Sequence, residues 1–236
     1  MPTPLRPRPR WRIATAGAAA ALTVTLVAGW AIVAAPSWSA TEVRIVAAVH
    51  GDANGLADVV ALTVNSAFGP GGAVLVSLIA LTWTVMLRRS WRPAVRMLAV
   101  LVIPWGCAEI IKAVVQRPRP DAALLSTLIV AEPRSYSYPS GHTAFAAALA
   151  CAVVLVLFRP HSRSRAVAVA AGALVVLVTA WSRVYLGVHY PTDVAASMFV
   201  VPVVAVAVHR LTAGRAMFDP PDAPIPAEPP AVRIGH

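Results

Sequence analysis

Six stretches of this chain run apolar for about 17 to 23 residues, at 13–35, 71–87, 94–115, 141–158, 165–183 and 191–210. A helix needs roughly 20 such residues to cross the hydrocarbon core of a bilayer. Lipid offers no water to backbone N–H and C=O groups, so a chain that enters it must satisfy them within each helix. That sets the fold class: all-α, a polytopic membrane helix bundle with six transmembrane helices. Composition agrees. Of 236 residues, 58% are hydrophobic and 13% charged, where soluble chains carry about 25% charged.

The opening MPTPLRPRPRWR is basic and proline-rich. The run behind it exceeds the roughly 7–15 residues of a signal-peptide core and reads as an uncleaved anchor. Over 53–68, Leu56, Val59, Val60 and Val64 recur at helical spacing while Asp58 and Asn65 interrupt. That pattern predicts an interfacial or re-entrant helix on the extracytoplasmic side. Pro104 lies inside the third run, where neighbouring helices can satisfy the freed carbonyl, and Pro191 suits the first turn of the sixth. A polar loop covers 117–139, and Cys107 and Cys151 read as small buried apolar residues. The expected organisation is a basic cytoplasmic N-terminus over 1–12, a six-span domain over 13–211 and a cytoplasmic tail over 212–236. That tail is too rich in proline to pack and is expected to be disordered.

A net charge of +10 would suit nucleic acid, but no basic stripe with interleaved aromatics occurs, and nucleic acid is excluded as a partner. The arginines instead cluster at the ends of the apolar runs. With the N-terminus cytoplasmic, fourteen of the 20 basic residues fall on the inner side. The positive-inside rule therefore places both termini in the cytoplasm, and the localisation expected is the plasma membrane. The six exceptions are Arg44, Arg117, Arg119, Arg134, Arg183 and Lys112, the single lysine of the chain.

Most of those exceptions belong to three segments that alternation of the spans brings to one outer face. KAVVQRPRP holds Lys112 and Arg119 seven positions apart. In PSGH, Ser140 is placed to cap the fourth span, leaving the N–H groups of Gly141 and His142 pointing outward, a favoured anion site. SRVYLGVHYPTD holds Arg183, His189 and Asp193. Three cations, an amide-lined helix start, two histidines and a carboxylate are an inventory for gripping a phosphate. Neutral imidazole is a competent nucleophile, so His189 and His142 together supply a nucleophile and an acid. Asp193 is placed to fix the His189 tautomer. No metal and no cofactor is called for.

In this order, the segments resemble the signature of the type 2 phosphatidic acid phosphatase superfamily: KxxxxxxRP, PSGH and SRxxxxxHxxxD. Every fixed position matches, from Lys112, Arg119 and Pro120 through Pro139 to His142, then Ser182, Arg183, His189 and Asp193. The resemblance spans 112–193. It implies a helix bundle that hydrolyses phosphate esters or anhydrides through a phosphohistidine. By that analogy His189 attacks phosphorus, Asp193 supports it and His142 protonates the leaving group. Lys112, Arg119, Ser140, Gly141 and Arg183 would hold the phosphoryl oxygens. The superfamily also includes soluble vanadium haloperoxidases, from which six apolar spans set this chain apart. A lipid phosphate or diphosphate within a membrane of lipids is the substrate this implies. Rival readings are phosphoryl transfer to an alcohol or sugar, and non-catalytic lipid binding or transport; binding alone would need only the cations, not His189 and Asp193.

Outside the signature, Glu109 lies one turn before Lys112 and is placed to pair with it. Arg117, Tyr136 and Tyr138 fall in the right loop without an assigned task. His50, His161, His209 and His236 read as solvated bystanders, and Trp30, Trp38 and Trp91 as interfacial belt residues.

Overall fold

The structure, a computed structural model, describes residues 10–51, 54–121 and 135–213. The basic segment before residue 10, Arg134 and the proline-rich tail from 214 lie outside the described residues. The helices are α1 (Arg10–Val33), α2 (Pro36–Gly51), α3 (Gly55–Phe68), α4 (Pro70–Arg88), α5 (Arg92–Val115), α6 (Gly141–Leu157), α7 (Arg163–Tyr185) and α8 (Pro191–Thr212). No strand occurs among the described residues.

Local chemistry marks the boundaries. Proline opens α2, α4 and α8, where the missing N–H costs nothing. Asn54 caps α3 by accepting from the Ala57 N–H at 3.0 Å, and Ser162 caps α7 from Arg165 at 3.2 Å. Gln116 ends α5 in a left-handed turn at φ 55°, its N–H returned to the Lys112 carbonyl. Buried threonines bond their own helix: Thr25 to Ala21, Thr84 to Ala80 and Thr179 to Val175, so no hydroxyl is stranded.

Helix α6 is the centre, packed by α5, α7 and α8. Its face of Ala144, Ala147, Ala148 and Ala152 is buried; small residues let backbones approach where lipid supplies no hydrophobic drive between helices. Met97, Val100 and Leu101 of α5 and Val200, Val201 and Val204 of α8 fill the space around it. Outward, α4 exposes Leu75, Leu78, Ile79, Trp83 and Met86, a surface far too apolar for water. At the end remote from α6's start, Arg88 donates to the Leu157 carbonyl at 2.7 Å and Arg96 to that of His209 at 3.0 Å. These cations meet the negative ends of α6 and α8.

Six spans were expected; five helices, α1, α4, α5, α7 and α8, are long and apolar enough to cross a membrane, and the bent pair α2 and α3 adds a sixth if it counts as one span. Helix α6, expected as the fourth span, has 17 residues and extends about 25 Å at a helix's rise, short of a core about 30 Å thick. It is short because it begins inside the bundle: Ser137, Tyr138 and Ser140 before it are buried. The helix expected over 53–68 is α3, and it is one of a pair. Segment 36–51 forms α2, and α2 and α3 lie at 118°.

Candidate active site

The C-terminal ends of α5 and α7 and the N-terminal ends of α6 and α8 converge at one end of the bundle, with α3 beside them. His189 lies in the turn before α8 and is buried. Its Nδ1 is 3.3 Å from Asp193 Oδ2, and its Nε2 is 3.1 Å from an Arg119 amino nitrogen. A guanidinium only donates. Nε2 therefore presents a lone pair, and Nδ1 carries the proton donated to Asp193. Burial, reinforced by Arg119, Lys112 and Arg183, holds the ring well below the ordinary imidazole value of 6.5. The ring is neutral at neutral pH. Asp193 sits in the first turn of α8, where Oδ2 also accepts the Tyr190 N–H at 2.9 Å.

Beside His189 opens a cavity of about 920 Å³ lined by Lys112, Arg119, Gly141, His142 and Arg183, within the size range of ligand sites. Each cation is held. Lys112 Nζ lies 2.9 Å from both Glu109 oxygens, the pairing expected from their spacing. Arg183 donates to Asn65 Oδ1 at 2.8 Å, and Arg119 donates to the Ser135 carbonyl at 2.7 Å. Arg183 Nη2 and His142 Nε2 are nonetheless buried with no hydrogen-bond partner among the described residues. Gly141 leaves room for the Lys112 and Glu109 side chains: a Cβ there would stand 2.8 Å from Lys112 Nζ and closer still to Glu109 Oε1. At the start of α6, the first backbone N–H groups have no partner within the helix.

Of the eight residues expected in the site, Lys112, Arg119, Gly141, His142, Arg183 and His189 line the cavity, whereas Ser140 and Asp193 lie behind it. The expected capping by Ser140 does not occur. Its Oγ takes no helix N–H and accepts from Thr143 Oγ1 at 3.1 Å. Instead its backbone pins the loop to α8: the Ser140 N–H donates to the Asp193 carbonyl at 3.0 Å, and Ser197 Oγ donates to the Ser140 carbonyl at 2.9 Å.

Sequence reasoning left three residues without a role here. Asn65, noticed only as a polar interruption, lines the cavity and holds Arg183. Arg117 is buried behind Asp193 and donates to its Oδ1 at 2.7 Å. Glu42 of α2 accepts from Arg117 at 2.7 Å, and no sequence signal marked it. His50, expected to be solvated, is 1% exposed, its Nδ1 lying 2.9 Å from the Tyr185 carbonyl. It ties α2 to α7. Burial first, then the Asp193 charge, pushes the Tyr138 phenol up to about 12; it stays protonated and donates to the Thr25 carbonyl at 2.8 Å.

Comparison with known proteins bears on this arrangement. The model of the PAP2 superfamily matches residues 93–216. An undecaprenyl-diphosphatase of Sulfolobus acidocaldarius is 31% identical over 113 residues, 48% of this chain and 52% of its own length. A decaprenylphosphoryl-5-phosphoribose phosphatase of Mycolicibacterium smegmatis is 35% identical over 107 residues, 45% of this chain and 52% of its own. The chain thus spans about half the length of these curated relatives. The crystal structure of a transmembrane PAP2-type phosphatidylglycerolphosphate phosphatase from Bacillus subtilis superposes with a TM-score of 0.67. It is 22% identical, with 79% of this chain and 92% of that one covered, and shares the fold.

Proposed function

The chain belongs to the PAP2 superfamily, and on that premise we propose that it hydrolyses lipid phosphates or diphosphates through a phosphohistidine intermediate. His189 Nε2 attacks phosphorus, and the bond to the leaving oxygen breaks as His142 delivers a proton to that oxygen. The ring becomes cationic and is stabilised by Asp193. Water then attacks phosphorus, the P–N bond breaks, and the proton lost by water returns to His142. Lys112, Arg119, Arg183 and the first N–H groups of α6 at Gly141 and His142 hold the phosphoryl oxygens as charge builds on them. Ser140 serves the same grip from behind, through the loop it anchors. No step calls for a metal.

The observation that carries this reading is the pair of buried, unpartnered atoms at the cavity, Arg183 Nη2 and His142 Nε2. Buried polar groups are nearly always satisfied, and here a phosphate would supply both acceptors. The substrate class follows from the other wall. Phe68, Ala73, Val74, Trp105 and Phe145 line the same cavity, with the Phe145 ring 5.9 Å from those of Phe68 and Trp105. A polar head enters among cations while an apolar tail leaves sideways between helices. An isoprenoid diphosphate, phosphatidic acid and phosphatidylglycerol phosphate all fit, and the names of the two curated relatives favour the isoprenoid. With α6 as a short sixth span, the site opens on the extracytoplasmic face of the plasma membrane and both termini lie in the cytoplasm.

The test is phosphate release by the purified full chain from a panel of lipid phosphates and diphosphates in detergent micelles, with chelator and with vanadate. Release that persists in chelator, is inhibited by vanadate and places trapped label on histidine is expected. Full activity in His189→Ala, label on serine, or lipid bound without turnover would each overturn it.

A further inference from the structure

Behind Asp193 lies a second charged layer. Arg117 is fully buried, and its two amino nitrogens point different ways. One donates to Asp193 Oδ1 at 2.7 Å and to Thr192 Oγ1 at 2.8 Å. The other donates to Glu42 Oε2 at 2.7 Å and to Ser39 Oγ at 3.0 Å. The guanidinium lies 3.8 Å over the Tyr190 ring, a contact that also favours the cation. Glu42 in turn reaches the start of α8: Oε1 accepts the Thr192 N–H and Oε2 accepts the Thr192 hydroxyl, each at 2.8 Å. Arg117, Glu42 and Asp193 are all at most 4% exposed.

From this geometry we propose that Glu42 and Arg117 are positioning residues, a clamp that fixes the Asp193 carboxylate on His189 and supplies its countercharge. The inference rests on the phosphohistidine reading above. A carboxylate with no access to water requires a paired cation, which Arg117 supplies, and the guanidinium's other donors require acceptors, which Glu42 and Ser39 supply. Glu42, Arg117 and Asp193 together carry one net negative charge, opposite to the charge the His189 ring gains when Nε2 bonds phosphorus. Because Thr192 and Asp193 share the first turn of α8, Glu42 orients that turn and Arg117 at once. Glu42 lies outside the segment matched by the family model, which begins at residue 93.

Glu42→Gln and Arg117→Lys in the full-length protein test the clamp, with farnesyl diphosphate and dioctanoyl phosphatidic acid as probes. The kcat of Glu42→Gln is expected to fall on the order of 10- to 100-fold, as for other partners one layer behind a reacting group. KM and the vanadate inhibition constant should stay within about twofold, because the cavity cations are untouched. Arg117→Lys is expected to retain more activity than Arg117→Gln. In an Asp193→Asn background, Glu42→Gln should add little, since the clamp acts through that carboxylate. Histidine-ring nitrogen NMR gives a second readout that needs no turnover: the Nδ1-bound proton of His189 should be lost or exchange faster in Glu42→Gln. An unchanged kcat with an unchanged His189 signal, or a full additional loss in the Asp193→Asn background, overturns the inference. A wild-type protein that turns over neither probe defeats the proposed function instead, and the NMR comparison still decides the clamp.

Discussion

Replacing Gly141 with alanine separates the fold from the proposed phosphate grip. The new Cβ would stand 2.8 Å from Lys112 Nζ and closer to Glu109 Oε1, whereas ordinary contact begins at 3.4 Å. The ammonium must therefore retreat by at least ~0.6 Å and the carboxylate further, breaking the symmetric 2.9 Å contacts between them. Both atoms end flexible side chains, so the helix itself need not shift. Alanine is also up to about 1 kcal/mol better than glycine inside a helix, and less so at this first position. Thermal stability should hold or rise slightly. Activity should not: displacing a positioning group by about 1 Å can cost on the order of 100-fold, and a fall in kcat/KM of about 10- to 100-fold is expected. The assay is phosphate release in detergent micelles beside a thermal melt of the same preparation. Wild-type kcat/KM in a folded Gly141→Ala protein would refute the claim that Lys112 is held against the start of α6 for use.

Three further outcomes are expected. Asn65→Ala removes the acceptor of an Arg183 hydrogen bond of 2.8 Å; a bond to a charged group is worth about 1.5–3 kcal/mol, so KM and the vanadate inhibition constant should rise roughly 10-fold while the protein stays folded. Because burial and its cation neighbours hold the folded His189 below 6.5, the unfolded chain takes up a proton there first. Its contribution to stability is then complete above that pH and lost as pH falls below it, and the acid limb of kcat/KM, corrected for substrate titration, should have its midpoint below 6.5. A midpoint at or above 6.5 contradicts a neutral, cation-flanked ring. Gly29→Ala places a Cβ 2.7 Å from the Tyr138 ring and 2.8 Å from Val115; overpacking of this kind costs about 1–3 kcal/mol, and a lowered melting temperature should register it.

Much of the architecture could be read from local pattern. Apolar runs of span length imply helices in lipid because an unsatisfied peptide group there is prohibitively costly, and seven of the eight helices coincide with such runs or with the 53–68 periodicity. The signature residues sit at the ends of those helices, so their arrival at one end of the bundle followed from the alternation of spans. Tertiary structure decided the rest. Ser140 faces Thr143 and not the helix start because the buried loop is pinned to α8. Glu42 meets Thr192 across 150 positions, and Asn65 meets Arg183 across 118. Periodicity reports which face of a helix is apolar, not which distant carboxylate will lie opposite a buried arginine. That pairing is fixed only when the helices dock, because only then does water leave and make each buried charge require a partner.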